Sequence, residues 1–259
     1  MNHVNKAVEN MGFTLGAMAA LKTSRSVFFE ESGLVSAGLA LATGTKSASE
    51  NWAFFPSRSI DEKKVKQICS FFDDMGLPFI WPLFPEAVAG GRILEEAGMP
   101  VRGELLAMAG SNFSLEENNV PASLTFEINK KTDIWAETAW RAFDSPPGAP
   151  ASFVKLARGL ADSGGVFLIL AQRDGLPVGT AMLALSGGSA GIYYFATLPE
   201  EREKGVGNAT LREATRLAIE LGRGVLTLQA TPVGVPFYAS RGFKPLFRLP
   251  LHSFSEEVF

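Results

Sequence analysis

Arg202-Glu203-Lys204-Gly205-Val206-Gly207-Asn208 is the stretch of this sequence best suited to hold an anion. It follows a hydrophobic run, residues 192–197, that reads as a strand, and precedes an amphipathic pattern from about Asn208 that reads as a helix. Glycine at 205 and 207 lets a ligand approach bare backbone and permits positive φ. The first amides of the helix are unpaired and lie at the positive end of its dipole. Such a loop suits a pyrophosphate. Its spacing differs from a Walker loop, which needs Lys-Ser or Lys-Thr after its last glycine, and from a dinucleotide fingerprint with three glycines. Taken alone, the string also fits a turn that merely packs a helix on a strand.

The elements that must position this loop are legible on both sides. Leu211, Ala214, Leu217, Ala218 and Leu221 recur at helical spacing, with Gly222 as C-terminal cap. An apolar run at 225–230, a Thr231-Pro232 break, a short helix through Phe237 and Tyr238, Gly242-Phe243 and a last strand around 246–251 follow.

With this order, the text from Tyr194 to Asn208 and from Leu228 to Phe243 resembles the GNAT superfamily of acyl-CoA-dependent N-acyltransferases, over roughly residues 123–251. The resemblance implies an α/β fold: a mixed, mostly antiparallel sheet flanked by helices. It implies that the backbone of Phe195, Ala196 and Thr197 pairs with the pantetheine arm of acetyl-CoA, the acyl donor. Amides of Arg202, Glu203, Lys204, Gly205, Val206, Gly207 and Asn208 would hold the pyrophosphate, and Tyr238 would protonate the departing thiolate. A phenol of pKa about 10 lies close enough to a thiol for that transfer. For Tyr238 the plainer reading is a core aromatic beside Phe237. Many family members carry a glutamate as general base on the strand before the loop, where this sequence has Gly191. A water chain past Tyr193 or Tyr194 is one substitute, and tyrosines that only fill the sheet are the other reading. The family's acceptor wall corresponds to the break at Asp144-Ser-Pro-Pro-Gly-Ala-Pro150, making Phe143, Asp144 and Tyr193 candidate substrate contacts, unless the break is a plain connector. The activity implied is direct transfer of an acetyl group to a primary amine, on a small molecule or a protein. A CoA-binding regulatory module without turnover is the alternative, and a pure scaffold stands behind both.

Composition bounds the class. The chain has 259 residues, 46% hydrophobic and 20% charged, with a formal net charge of -3. That supports one large or two small cores and argues against nucleic acid as partner, since no basic stripe exists. Lys63-Lys64-Val65-Lys66 reads as the solvated face of a helix. Cys69 is the single cysteine, which excludes an internal disulfide, and His3 and His252 have no metal-pair spacing. No metal, no membrane span of ~18 apolar residues, a cytoplasmic location and a monomer or homodimer are the expectations. Val4, Val8, Met11, Leu15, Met18 and Leu21 step as a packed helix rather than a signal segment.

The first half repeats the order of the second. Val65, Ile68, Cys69, Phe72 and Met75 form a helical stripe ending at Gly76, followed by a strand at 77–83, a helix through Leu94, Gly98-Met99 and a strand at 104–109. Gly76 to Gly98 spans 22 positions against 20 from Gly222 to Gly242, which sets Leu94 opposite Tyr238. Where the second half has its glycine loop, the first has Ser57 to Glu62, with Ser59 and Glu62 at capping-box spacing. The reading is therefore a degenerate acyltransferase-like domain at 1–120 and a GNAT acetyltransferase domain at 121–259. The seam is expected at 115–123, and an exposed loop at 42–51.

Overall fold

The structure, a computed structural model, describes residues 2–29, 38–56, 60–111, 113 and 123–258. In chain order its helices are α1 (His3–Ala19), α2 (Glu62–Asp73), α3 (Gly91–Glu96), α4 (Thr132–Ala142), α5 (Ala151–Asp162), α6 (Val206–Glu220) and α7 (Val235–Ala239). Its strands are β1 (Arg25–Phe29), β2 (Gly38–Ala42), β3 (Asn51–Phe54), β4 (Trp81–Pro82), β5 (Val101–Ser111), β6 (Leu124–Ile128), β7 (Val166–Arg173), β8 (Leu176–Ser186), β9 (Ser189–Thr197), β10 (Val225–Ala230) and β11 (Lys244–His252). Among the described residues, β1-β2-β3 make a three-stranded sheet, and an eight-stranded sheet runs β4-β11-β5-β10-β9-β8-β7-β6. All its neighbours pair antiparallel except β9 with β10. This is the mixed, mostly antiparallel sheet expected.

Period-two patterning decides which helices cover which face. Leu168, Leu170, Met182 and Ala184 point to one core with α1, α4 and α5, through Met11, Leu15, Trp135 and Leu156. Ile169, Ala181, Leu183 and Ile192 point to the other, beneath Leu211, Ala214, Ala218 and Tyr238 of α6 and α7. A third core around Ile68, Phe72, Trp81 and Leu94 belongs to the first half alone. The β7–β8 turn has Asp174 at φ 50° and Gly175 at φ 80°, the left-handed pair that a two-residue hairpin requires.

The repeat is present in three dimensions. Gly76 and Gly222 have φ of 60° and 75°. The amides after them return to equivalent carbonyls, Leu77 to Phe72 at 3.2 Å and Arg223 to Ala218 at 2.8 Å. Gly98 and Gly242, with φ of 85° and 87°, do the same, Met99 donating to Leu94 at 2.9 Å and Phe243 to Tyr238 at 3.2 Å. Leu94 and Tyr238 thus occupy equivalent places. The last strands of the two repeats are exchanged: β5 pairs with β10, and β11 with β4. They meet each other about the pair Leu105↔Leu249, where Glu104↔Pro250 is mirrored by Leu106↔Arg248 and Gly103↔Leu251 by Ala107↔Phe247. A local pseudo-two-fold axis therefore passes through Leu105 and Leu249, and the sheet is continuous across the two halves.

Several local expectations change. Residues 42–51 are not an exposed loop: Thr43, Thr45, Ala48, Glu50 and Asn51 are buried. The reason is Asn51, whose amide donates to the carbonyls of Thr45, Ser47 and Pro78 at 2.8–2.9 Å and whose Oδ1 accepts from Thr43 N–H at 3.0 Å. A polar segment can be buried when one side chain closes its backbone bonds. Helix α2 begins at Glu62 with Asp61 as N-cap, accepting from Lys64 N–H at 2.7 Å, while the proposed cap Ser59 lies outside the described residues, as do Ser57 and Arg58. Of 77–83, only Trp81–Pro82 is strand. The expected seam, apart from Ser123, also falls outside the described residues.

Candidate active site

Strands β9 and β10 pair through only three residues each, Ser189 to Gly191 against Val225 to Thr227. Beyond that point they diverge, and β9 from Ile192 onward and β10 from Leu228 onward line opposite walls of a cavity of about 640 Å3. The α6 N-terminus opens into the same cavity through Gly205, Gly207 and Asn208. Gly205 is the N-cap, at φ 81°, and brings no side chain to the first amides of α6. A Cβ at Gly207, in the first turn of α6, would lie 3.4 Å from the Phe237 ring and 3.8 Å from Thr197 Oγ1. The loop is braced from behind: Arg202 donates to the Ala142 carbonyl and to Asp144 at 3.2 Å, and Arg173 to the Lys204 carbonyl at 3.1 Å.

The expected site residues separate into two groups. Phe195, Ala196, Thr197, Arg202, Glu203, Gly205, Gly207, Asn208, Tyr238, Phe143 and Tyr193 all line the cavity. Asp144, Lys204 and Val206 do not. Asp144 is paired with Arg202, Lys204 with Glu201 at 3.1 Å, and Val206 is buried against Leu124, Ala171 and Val178. The Asp144 side chain is therefore a brace of the loop, and Phe143 with Ser145 forms the wall. A backbone role for Lys204 and Val206 needs no side chain in the cavity.

Tyr238 is buried, its ring edge-on to Phe237 at 5.2 Å and Phe243 at 5.6 Å. Among the described residues its hydroxyl has no hydrogen-bond partner. Burial pushes its pKa above the ordinary phenol value, so it holds its proton more firmly than a free phenol matched to a thiol.

Strand β9 carries a bulge: Tyr194 and Phe195 together face Ala181, since Tyr193 pairs with Met182 and Ala196 with Thr180. Tyr194 takes φ 44° there, a strained value for a bulky residue. Neighbouring bonds hold it. Thr180 Oγ1 donates to the Tyr194 carbonyl at 2.9 Å, and the Trp135 indole donates to the carbonyls of Ala181 and Ile169 at 3.1 Å. The bulge aims the Tyr194 hydroxyl across the cavity to Glu50, to which it donates at 2.8 Å.

Glu50, from the first half, was not among the sequence candidates. It is 6% exposed and lines the cavity. Burial raises its pKa from 4.5 to about 7, partly opposed by the Tyr194 hydrogen bond. Nothing in its neighbourhood of sequence marks it, because its surroundings come from chain far away. Gly191 is explained by the same half. A Cβ there would lie 1.9 Å from Asn10 Oδ1 and 2.5 Å from the Tyr193 ring, so no larger side chain fits. Asn10 of α1 is fully buried, donates to the Ala184 carbonyl at 2.9 Å and accepts from the Tyr193 hydroxyl at 2.9 Å. Burial also pushes the Tyr193 phenol up.

Arg241 is a second cavity residue that no pattern in the sequence marks. It lines the cavity, donates to Asn208 Oδ1 at 2.5 Å and stacks on Phe237 at 3.7 Å. With Arg202 it puts two cations by the α6 N-terminus, a setting suited to phosphate oxygens. Among the described residues no group of His, Cys, Asp and Glu could hold a metal ion, and no helix is long and apolar enough to cross a membrane.

Residues 163–245 match the family model described as acetyltransferase (GNAT) domain. A GCN5-related N-acetyltransferase from Kribbella flavida superposes with a TM-score of 0.65 at 18% identity, covering 95% of both chains. A tandem GNAT protein from the clavulanic acid biosynthesis pathway gives 0.62 at 12%, covering 97% of this chain and 95% of its own. A GCN5-related N-acetyltransferase from Sphaerobacter thermophilus gives 0.59 at 14%, covering 89% of this chain and 76% of its own. No curated protein matches the sequence. The protein has the GNAT fold in a two-part arrangement. Within its C-terminal part, residues 163–245 are similar to the GNAT acetyltransferase domain.

Proposed function

We propose that the protein is an N-acetyltransferase that moves an acetyl group from acetyl-CoA directly to a primary amine. The observation that carries this reading is the meeting, in one cavity, of diverging β9 and β10 with the uncapped N-terminus of α6. Unpaired backbone along β9 after Gly191 suits an extended amide-bearing arm, and free helix amides with Arg202 and Arg241 suit a pyrophosphate. The fit supports Phe195, Ala196 and Thr197 as arm-binding backbone and residues 202–208 as the phosphate loop.

In this reading the amine nitrogen attacks the thioester carbonyl while backbone donors along β9 stabilise the developing oxyanion. As the C–S bond breaks, the sulfur leaves with the electron pair and takes the Tyr238 proton. The nitrogen loses a proton on collapse of the adduct, which restores the phenol through water. Burial keeps Tyr238 protonated until the sulfur departs and makes it a weaker acid than a free phenol, so the transfer depends on the thiolate forming beside the hydroxyl in the same water-poor cavity. Cys69 sits in the separate first-half core, so an acyl-enzyme on that thiol is not part of the mechanism. The alternative, a CoA-binding module without turnover, drew its force from the missing carboxylate at 191, and Glu50 now supplies one to the cavity. Localisation in the cytoplasm and a monomer or homodimer remain part of the proposal.

Calorimetric titration with acetyl-CoA tests it, alongside a Gly205→Glu, Gly207→Glu double variant. Expected are binding by the native chain, none by the double variant, and in Tyr238→Phe retained binding with turnover reduced about 100-fold. A folded native chain, free of CoA, that fails to bind acetyl-CoA would refute the reading.

A further inference from the structure

Beyond the phosphate loop, the cavity continues into a chamber walled by both halves of the chain. Met11, Leu15 and Met18 of α1, Trp52 of β3, Leu105 on the pseudo-two-fold axis and Phe153 of α5 line it. These side chains are apolar and come from elements that pack together in one core. Glu50 is the carboxylate in this wall, placed just before β3 beside the Asn51 bonds and met by the Tyr194 hydroxyl at 2.8 Å. Ser47 and Ser49 bond to each other at 3.0 Å beside it. A lone buried carboxylate in an apolar chamber is costly unless a cation or proton comes to it.

Resting on the acetyltransferase reading, we propose that Glu50 binds and deprotonates the ammonium group of an apolar primary amine, whose hydrocarbon part fills the chamber between the two halves. The ammonium donates to the Glu50 carboxylate and passes one proton to it, leaving a neutral amine with a free lone pair. That pair forms the new C–N bond at the thioester carbon, the C–S bond breaks, and Glu50 returns its proton to solvent after product leaves. One proton is released per acetyl transfer, and no oxidant or other reactant is required. Polyamines and lysine side chains are disfavoured because a second charged or strongly polar group would be stranded among Met, Leu, Trp and Phe.

The ionisable groups that bear on Glu50 follow from the lining. Tyr194 touches it directly, Tyr193 and Tyr238 are buried phenols pushed up in pKa and so neutral, and Arg202, Glu203 and Arg241 lie at the phosphate-loop end. A carboxylate held near 7 by burial accepts a proton well around neutral pH.

The experiment measures CoA release with acetyl-CoA and four amines: hexylamine, 2-phenylethylamine, lysine and spermidine. The two apolar amines are expected to show kcat/KM at least about 10-fold above the polar two, with a limb rising through about pH 7. Glu50→Gln should lower kcat by about 100-fold or more and remove that limb, while calorimetric affinity for acetyl-CoA stays unchanged. Tyr194→Phe, which deletes a bond favouring the carboxylate, should keep the limb and move it to higher pH. Preference for lysine or spermidine, or full activity in Glu50→Gln, overturns the inference while leaving the acetyltransferase reading intact. Loss of acetyl-CoA binding by the native chain overturns that reading instead.

Discussion

Glu50 makes a claim about stability that is independent of any substrate. Its carboxyl has a pKa of about 7 when folded against 4.5 for an unperturbed side chain. The folded chain therefore holds a proton that the unfolded chain has released, and folding takes up a proton between those values. Stability from this group is complete below about pH 4.5, is lost as pH rises through 7, and is constant above. The difference corresponds to about 3 kcal/mol of burial cost carried by the ionised folded protein. Glu50→Gln removes the titration and keeps an oxygen that can accept from Tyr194. Its amide needs a new partner, at a cost of about 1–3 kcal/mol that does not change with pH. Between pH 5 and pH 8 the stability of the variant should thus rise, relative to the native chain, by about 2–3 kcal/mol. Urea unfolding of both proteins at the two pH values measures this. Comparing them cancels groups that titrate in the opposite sense, such as Glu137, whose pKa is lowered by the backbone N–H of Ala149. Parallel pH dependences, within about 0.5 kcal/mol, would refute the burial argument, since only a carboxyl with equal pKa in both states gives them.

Two further outcomes follow from the packing. Gly191→Ala puts a methyl group into space held by Asn10 Oδ1 at 1.9 Å and should cost about 1–3 kcal/mol in urea unfolding; adding Asn10→Ala should recover part of that loss, and a neutral single variant would be contrary. Fragments 1–120 and 121–259, expressed apart, should each leave a strand position empty, β10 lacking β5 and β4 lacking β11; co-expression should restore near-UV circular dichroism, whereas two separately folded fragments would contradict the exchange.

What was legible in the sequence is what is local. The glycine loop before α6, the α6 stripe and the equivalence of Leu94 with Tyr238 each rest on a few consecutive residues whose backbone demands are visible in their types. What escaped depends on contacts across the chain. Asn51 buries a Ser- and Thr-rich segment by reaching the carbonyl of Pro78. Arg241 reaches Asn208 from the turn after α7. Glu50 meets Tyr194, 144 positions away. Residue type says that a carboxyl is present, but only the third dimension says that it is buried. Likewise Asp144 has the composition of a substrate contact and the geometry of a brace, because its charge is satisfied by Arg202.

The vacancy at Gly191 and the presence of Glu50 have one physical origin. α1 lies across β8 and β9, and Asn10 meets the polar demands of that crossing by bonding to Ala184 and Tyr193. This leaves no volume for a side chain at 191, so a carboxylate cannot enter the cavity from the central strand. It can enter only from the opposite wall, where the first half closes the chamber and the bulge at Tyr194 turns a hydroxyl to receive it. A half that lacks both glycine loop and tyrosine therefore still contributes three things to the cavity: the helix that fills the space beside Gly191, the Glu50 carboxylate, and Leu105 of the exchanged strand. Removing the first half would expose the chamber to water, take Glu50 away with it and open β10 to pairing with other chains. The chemistry proposed for the second half thus requires the first to be folded onto it.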